Sequence, residues 1–182
     1  SSDLGDALVT AAHLVTALQT AVSRGVNPPA EPAVCTVGEL HAGTAPNVIA
    51  ATAQLKGTLR ALTPEVMETL RGHVRRIAAG VAAANDAEAR GTFTGGYPAL
   101  VNHVAEHALV AAAAAGVATF APAVPVMAGE DFSYYLQQIP GCFFFVGAGD
   151  PAVPVERRAH HHEPGFDLDE RALAVGDRKS VV

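Results

Sequence analysis

The sequence has few cysteines, few charged residues and no long apolar run. Its two cysteines, Cys35 and Cys142, are too few for a disulfide scaffold and lack the spacing of a metal-binding motif, so a reducing cytoplasm is the expected location. The net charge is −6, whereas a nucleic-acid-binding protein would present a basic face. The most apolar tract, residues 108–121, is shorter than the roughly twenty residues that a membrane span needs. We therefore expect a soluble protein with no nucleic-acid and no membrane partner.

The chain has 182 residues and is 49% hydrophobic, which suffices for one large or two small packed domains. Residues 1–23 lack the basic start of a signal peptide and carry several polar side chains. The sequence opens without methionine, and its last helical pattern loses its apolar period after Gly176. We therefore expect the chain to be part of a longer protein.

The first half predicts an α+β domain. Apolar residues at helical spacing predict a helix over residues 4–22, with Asp3 as its cap, and Thr63-Pro64-Glu65 marks the start of another over 63–84. Strands are predicted over residues 33–40, 47–62 and 88–95. This order indicates an antiparallel sheet with helices on one face. Gly95-Gly96-Tyr97-Pro98 breaks the pattern and is the expected domain boundary.

The second half predicts a parallel α/β sheet. Helices are expected over residues 102–116, over 130–138 and from 169 onward, and strands over 124–127 and 142–146. The run Cys142 to Val146 is wholly apolar, as in a central strand covered on both faces. Functional loops lie at the carboxyl ends of such strands, which directs attention to Gly129-Glu130 and to residues 147–162.

A cluster of three histidines, His160, His161 and His162, precedes Pro164 and an acidic helix start. Neutral imidazole is a common ligand of zinc and related metals, and a proline restricts the backbone beside it, which suits a ligand that must hold its position. An isolated histidine run is more often a solvated polar loop. A second passage, Met127 to Tyr135, favours the metal-site hypothesis.

Several passages occur in an order that is specific to one family. They are Asn27-Pro28 with Glu31 to Val34, Gly43 to Ile49, Leu55 to Arg60, Gly96-Tyr97-Pro98, Met127 to Tyr135, Pro140-Gly141 with Phe143 to Gly149, and His162 to Asp167. With these the chain resembles the C-terminal part of the metal-dependent N-acyl-amino-acid amidohydrolases, a metallopeptidase family that includes hippurate hydrolase, aminoacylase-like enzymes and plant auxin-conjugate hydrolases.

The resemblance implies an α/β catalytic domain with two divalent ions (zinc, manganese, nickel or cobalt), interrupted by a dimerising α+β lid. Residues 1–95 would be the lid without its first strand, forming a homodimer, and residues 96–182 the C-terminal part of the catalytic domain. A metal-activated water would cleave the amide bond of an N-acyl amino acid or small peptide. The alternative is a non-catalytic dimerisation and binding module.

The departures from the family limit what the chain can do alone. The catalytic glutamate and most metal ligands lie, in the family, in segments that precede Ser1. Only the last metal ligand transfers, and the histidine-x-proline pattern assigns it to His162 rather than to His160 or His161. Ala50, Ala51 and Thr52 replace a proline and acidic residues of the family motif. We therefore expect no catalytic residue in this chain and no activity from it in isolation.

Four further residues are candidates for the same site. The Asn47 amide could donate to a substrate carboxylate or oxyanion, or could simply stabilise its own turn. Arg60 offers a two-pronged donor for a carboxylate, or is a surface arginine on a strand. Gly129 permits close backbone approach to a substrate. Glu130 could orient metal ligands, or could be an acid favoured at a helix start.

One competing motif is His103-Val104-Ala105-Glu106-His107, the inverted zinc-protease string. On a helix its two histidines would share one face. The string is short and no third ligand is evident downstream, so we expect it to be accidental.

Overall fold

The computed structural model describes residues 5–27 and 31–176. The chain divides into two compact units. The first contains residues 1–99 and 126–130, and the second contains residues 100–125 and 131–182. Among the described residues, no helix combines the length and apolar composition needed to cross a bilayer.

The first unit consists of helices α1 and α2 (Ala7–Leu18, Thr20–Ser23), strands β1 and β2 (Ala33–Ala42, Ala53–Ala61) and helix α3 (Pro64–Ala84). The predicted cap Thr63 accepts a hydrogen bond from Val66 N at 3.3 Å. Helix α1 is capped by Asp6, whose carboxylate accepts from Leu8 N at 2.9 Å. The expected cap, Asp3, lies outside the described residues.

Strands β1 and β2 form an antiparallel hairpin in which Ala42 pairs with Ala53 at the loop end and Ala33 with Ala61 at the other. A bulge between Val37 and Glu39 interrupts the register. A Cβ on Gly57 would overlap the Thr36 carbonyl, so the hairpin requires a glycine there. The antiparallel arrangement predicted for this half is confirmed.

Helices α1 and α3 pack on each other, and both contact the hairpin. The core of this unit is small and aliphatic, and Leu70 of α3 is completely buried. Its other buried apolar residues are Ala11, Leu18, Ala21, Ala50, Val66 and Ala82. After α3, the chain returns along that helix. The ring of Phe93 faces the guanidinium groups of Arg75 at 4.8 Å and Arg71 at 5.7 Å.

The second unit contains helix α4 (Val104–Ala115), the short helix α5 (Phe132–Leu136), a 3-10 turn (Val155–Arg157) and helix α6 (Arg171–Gly176). Ser133 and Leu136 of α5 are its buried residues among those described. The rings of Phe132, Phe143 and Phe145 form an aromatic row with successive centroids 5.9 and 5.3 Å apart.

Several predicted strands are wrong for the described structure. Residues 47–52 belong to the loop between β1 and β2, and residues 88–95, 124–127 and 142–146 form no strand. A strand exists only through hydrogen bonds to a neighbouring strand, and in the described part of the chain only β1 and β2 pair. Phe144 and Phe145 are 55% and 64% exposed, so the run 142–146 is not covered on both faces. The parallel sheet predicted for the second half is therefore not formed within the described residues.

Candidate metal and substrate site

The three histidines lie on two consecutive turns of the second unit. Glu163 N donates to the His160 carbonyl at 3.1 Å, and the Glu163 carboxylate accepts from His160 N at 2.7 Å. Phe166 N then donates to the Glu163 carbonyl at 3.1 Å. Glu163 therefore fixes both turns. Its role was not predicted from the sequence, which pointed to the histidines and Pro164 instead.

His162 has a left-handed backbone, with a φ of 69°. A residue other than glycine in this region is strained by roughly 1–3 kcal/mol, and such strain is concentrated at functional sites. Gly165, with a φ of 87°, adopts the same region without that cost. The turn thus imposes an unfavourable conformation on the one histidine that the family pattern selects.

The three imidazoles differ in their surroundings. The His161 ring packs edge-on against Phe166, with centroids 4.8 Å apart, and it lies 6.5 Å from the His162 ring. All three histidines are exposed. The His161 ring takes part in aromatic packing, whereas the His160 and His162 rings are both accessible, so only the family pattern distinguishes these two as ligands.

The described residues do not form a complete metal centre. Nowhere in residues 5–27 and 31–176 do three side chains from His, Cys, Asp or Glu converge as a metal site would require. His162 has the right donor chemistry for zinc or a related divalent ion, but it supplies a single ligand. The residues present do not fit a whole site, and no catalytic step follows from them alone.

The competing histidine pair is used in packing. His103 is the residue before α4, where its Nδ1 accepts from Gly141 N at 3.1 Å. His107 lies in the helix and meets the ring of Phe120 edge-on at 6.0 Å. The described part of the chain provides no third ligand near them. The inverted zinc-protease alternative therefore gains no support from the structure.

Asn47 lies in the exposed loop between β1 and β2, within a turn closed by Val48 N donating to the Ala45 carbonyl at 3.2 Å. A backbone bond closes this turn, and the Asn47 amide makes no hydrogen bond to another described residue. The Asn47 side chain therefore makes no hydrogen bond that would stabilise its own turn.

Arg60 has a partner within the first unit. Its Nη1 donates to the backbone carbonyl of Met127 at 2.7 Å, and the rest of the exposed guanidinium retains further N–H groups. In the hairpin Arg60 is paired with Val34, far from the loop end at Ala53. Arg60 lies seven positions along the strand from Ala53, which is roughly 23 Å at about 3.3 Å per position. Asn47 and Arg60 are therefore associated with opposite ends of the hairpin.

Gly129 and Glu130 follow Met127 in the first unit. A Cβ on Gly129 would lie 3.1 Å from the Tyr97 ring, so this ring uses the space that the glycine leaves. Glu130 is half-buried and precedes α5, which begins at Phe132 rather than at the predicted residue 130. Arg60, Gly129 and Glu130 thus belong to the same compact unit, and Arg60 bonds directly to the segment that carries the other two.

Sequence reasoning missed Asn102, which was expected only as a helix start. Its side-chain amide makes two hydrogen bonds with Phe143 and thereby holds the apolar run 142–146. No sequence pattern indicates this role, because it depends on a contact across 41 residues.

A comparison with protein-family models shows which family the chain belongs to. The model described as "Peptidase family M20/M25/M40" matches residues 6–178. The chain belongs to this family. The predicted resemblance to metal-dependent amidohydrolases and metallopeptidases is confirmed at that level.

Relatives in the family cover nearly all of the chain. YhaA of Bacillus subtilis, whose name assigns it provisionally to the amidohydrolases, is 41% identical over 94% of this chain and 43% of its own length. An N-acetyldiaminopimelate deacetylase of Streptococcus thermophilus is 39% identical over 94% of this chain and 44% of its own. The YXEP protein of Bacillus subtilis, described as a dinuclear metal-binding peptidase of the M20 family, superposes with a TM-score of 0.75 at 30% identity, covering 94% of this chain and 43% of that one. The chain therefore spans less than half the length of these relatives.

Proposed function

We propose that this chain is the C-terminal portion of a metal-dependent amidohydrolase that cleaves the amide bond of N-acyl amino acids or small peptides. Family membership and the names of the relatives support a hydrolase of this class. The observation that carries the proposal is the exposed His162 in a strained, left-handed turn.

In this proposal His162 is one ligand of a two-ion centre, and the remaining ligands come from protein outside this chain. The metals, when bound, would lower the pKa of a water molecule and so provide the nucleophile. This chain's own contribution is to hold one imidazole in place, through the turns that Glu163 closes. Residues 1–95 would form a lid and residues 96–182 the C-terminal part of the catalytic domain.

Arg60 is the proposed contact for the substrate carboxylate, since its fork matches that group and part of it remains available beside Met127. Gly129 would allow close approach of the substrate, and Glu130 would orient metal ligands. Asn47 would donate to a carboxylate or oxyanion. Because Asn47 and Arg60 are associated with opposite ends of one hairpin, we propose that they reach the same small substrate from two copies of the protein.

The experiment compares histidine variants of the longer protein that contains this segment, assayed with N-acetyl and N-benzoyl amino acids and with metal analysis. His162→Ala should lower metal content and activity together by at least about 10–100-fold, the range found for partners that only orient a ligand. His160→Ala and His103→Ala are matched controls that should change neither. Loss of metal in His103→Ala with retention in His162→Ala would show that the site is assigned to the wrong histidine.

The isolated 182-residue chain provides a second test. It should have no measurable amidase activity with or without added zinc or manganese, because a single ligand cannot build the centre. Metal-dependent turnover by the purified chain would contradict this.

The alternative function is a non-catalytic dimerisation and binding module. It is favoured by the hairpin, whose outer edges pair with no other strand in the described structure. Open edges can pair isologously between two copies. We expect the chain to sediment as a dimer at micromolar concentration, whereas a single monomeric species would count against both this module and the two-copy substrate site.

A further inference from the structure

A second candidate site lies in the first unit, between the end of α2 and the middle of α3. It is an open pocket of about 320 Å³ whose ionisable lining residues are all of the basic type: Arg24, His73 and Arg76. None of the residues proposed above for metal or substrate lines it. We refer to it as the basic pocket.

Three backbone carbonyls of α2, beside the basic pocket, already lie within hydrogen-bond distance of a donor in the chain. The Thr20 carbonyl accepts from Arg24 N at 3.0 Å, and the Val22 carbonyl accepts from Val26 N at 3.4 Å. The Ala21 carbonyl lies 3.4 Å from His73 Nδ1, which must carry the proton to donate to it. The end of α2 therefore offers the arginine side chains few competing acceptors.

The two guanidinium groups have no acidic partner. Arg24 and Arg76 are exposed and form no ion pair with any residue that the structure describes. Elsewhere in the described chain arginines do find carboxylates, as Arg71 does with Glu68 at 2.6 Å and Arg90 with Glu88 at 2.8 Å. Helix α3 carries no acidic residue between 69 and 84, so the positive charge of the pocket is not offset along its own helix.

The pocket is also shaped by a close contact. A Cβ on Gly25 would overlap the His73 ring, so the glycine lets the imidazole lie against the chain at this point. Gly25 and His73 both line the pocket, and their contact fixes one wall of it.

We propose that the basic pocket binds a small dianionic oxyanion. Two guanidinium groups present paired N–H donors that match the oxygen atoms of phosphate and carboxylate alike, and Arg favours both ligands for that reason. A volume of about 320 Å³ accommodates inorganic phosphate or a short dicarboxylate. The basic pocket contains no residue that the amidohydrolase proposal uses. An experiment can therefore contradict one of the two proposals without affecting the other.

The test is a titration of the full 182-residue chain with inorganic phosphate and, separately, with succinate, at constant ionic strength set with sodium chloride. Binding is followed by ¹H–¹⁵N NMR. Saturable shifts are expected in residues 20–25 and 73–77, and the ligand that binds more tightly identifies the phosphate or the carboxylate class. Arg24→Gln and Arg76→Gln should each weaken binding about tenfold, because a charge-assisted hydrogen bond contributes that much.

Arg75→Gln is the matched control, since it removes the same charge from the adjacent position of α3 and does not line the pocket. The Arg75→Gln variant should bind each anion with an affinity within about twofold of that of the unmodified chain, as expected for an exposed charge that is screened by salt. The proposal is overturned if neither anion gives saturable shifts, or if Arg75→Gln weakens binding as much as the two pocket variants do.

Discussion

The side-chain amide of Asn102 pairs with the backbone of Phe143 as a neighbouring strand would. Asn102 Nδ2 donates to the Phe143 carbonyl at 2.8 Å, and Asn102 Oδ1 accepts from Phe143 N at 2.7 Å. The next residue repeats the pattern, since His103 N donates to the Gly141 carbonyl at 3.1 Å and His103 Nδ1 accepts from Gly141 N. Asn102 and His103 therefore satisfy the backbone groups of Phe143, within the predicted strand 142–146, and of Gly141, just before it.

The first prediction concerns this pairing. Asn102→Ala leaves the half-buried Phe143 N without its acceptor and the Phe143 carbonyl with only the weak Cys142 Sγ donor at 3.6 Å, which should lower the free energy of unfolding by about 1–3 kcal/mol. Asn47→Ala is the control, because its amide lies in an exposed loop, and it should change stability by no more than about 0.5 kcal/mol. Urea unfolding followed by circular dichroism measures both. Equal effects of the two changes would show that the Asn102 contact is not stabilising.

The second prediction concerns the backbone of His162. Glycine adopts a φ of 69° freely and alanine does not, so His162→Gly should be more stable than His162→Ala by about 0.5–1 kcal/mol. The same pair at His160, where φ is not positive, should show the opposite order, because glycine has more freedom to lose there. Thermal unfolding of the four variants measures this. If alanine is the more stable residue at both positions, the turn does not hold His162 in the left-handed region.

The third prediction concerns Phe93. Phe93→Leu keeps the apolar bulk but removes the ring that faces Arg71 and Arg75, which should cost about 1 kcal/mol for two partly exposed cation–π contacts. Phe93→Tyr retains a ring and should cost less. If Leu and Tyr at this position are equally stable in urea unfolding, packing rather than the cation–π contact holds the segment after α3.

The fourth prediction concerns pH. The hydrogen bond from the Arg171 side chain lowers the pKa of Asp169, at the start of α6. Because the folded pKa lies below the unfolded one, this pair stabilises the fold above about pH 4, and the effect is lost as the pH falls through the lowered value. Arg171→Gln should return the pKa of Asp169 toward its ordinary value, as read from the carboxyl carbon by NMR. An unchanged pKa in this variant would show that Arg171 is not the cause.

The sequence predicts best those elements whose determinants are local. Thr63-Pro64 starts α3 as expected, and apolar periodicity correctly indicates α1 and α4. The register of the hairpin and the pairing of Asn102 with Phe143 depend on contacts between distant residues, which no local pattern encodes. The predicted strand 142–146 was wrong. An apolar run shows only that a segment can pair in a sheet, and no described strand pairs with this one.

In the candidate site too, local patterns predict which residues matter, and contacts between distant residues are known only from the structure. The histidine-x-proline pattern selects His162, and the structure adds the left-handed backbone that no composition reveals. Arg60 is, from the sequence, a candidate substrate contact or a surface arginine, and no pattern indicates that the Met127 carbonyl already takes one of its donors. The separation of Asn47 from Arg60 likewise depends on the hairpin register, which only the fold supplies.

The apolar run 142–146 also bears on how the protein behaves at high concentration. It contains three consecutive phenylalanines and no charge or proline, with Phe144 and Phe145 exposed. Short uncharged segments of high β-propensity assemble into intermolecular sheets when they are accessible. Asn102 and His103 occupy backbone groups of Gly141 and Phe143, which leaves fewer of them open to such assembly. Loss of the Asn102 contact is therefore expected to make this segment more prone to intermolecular pairing.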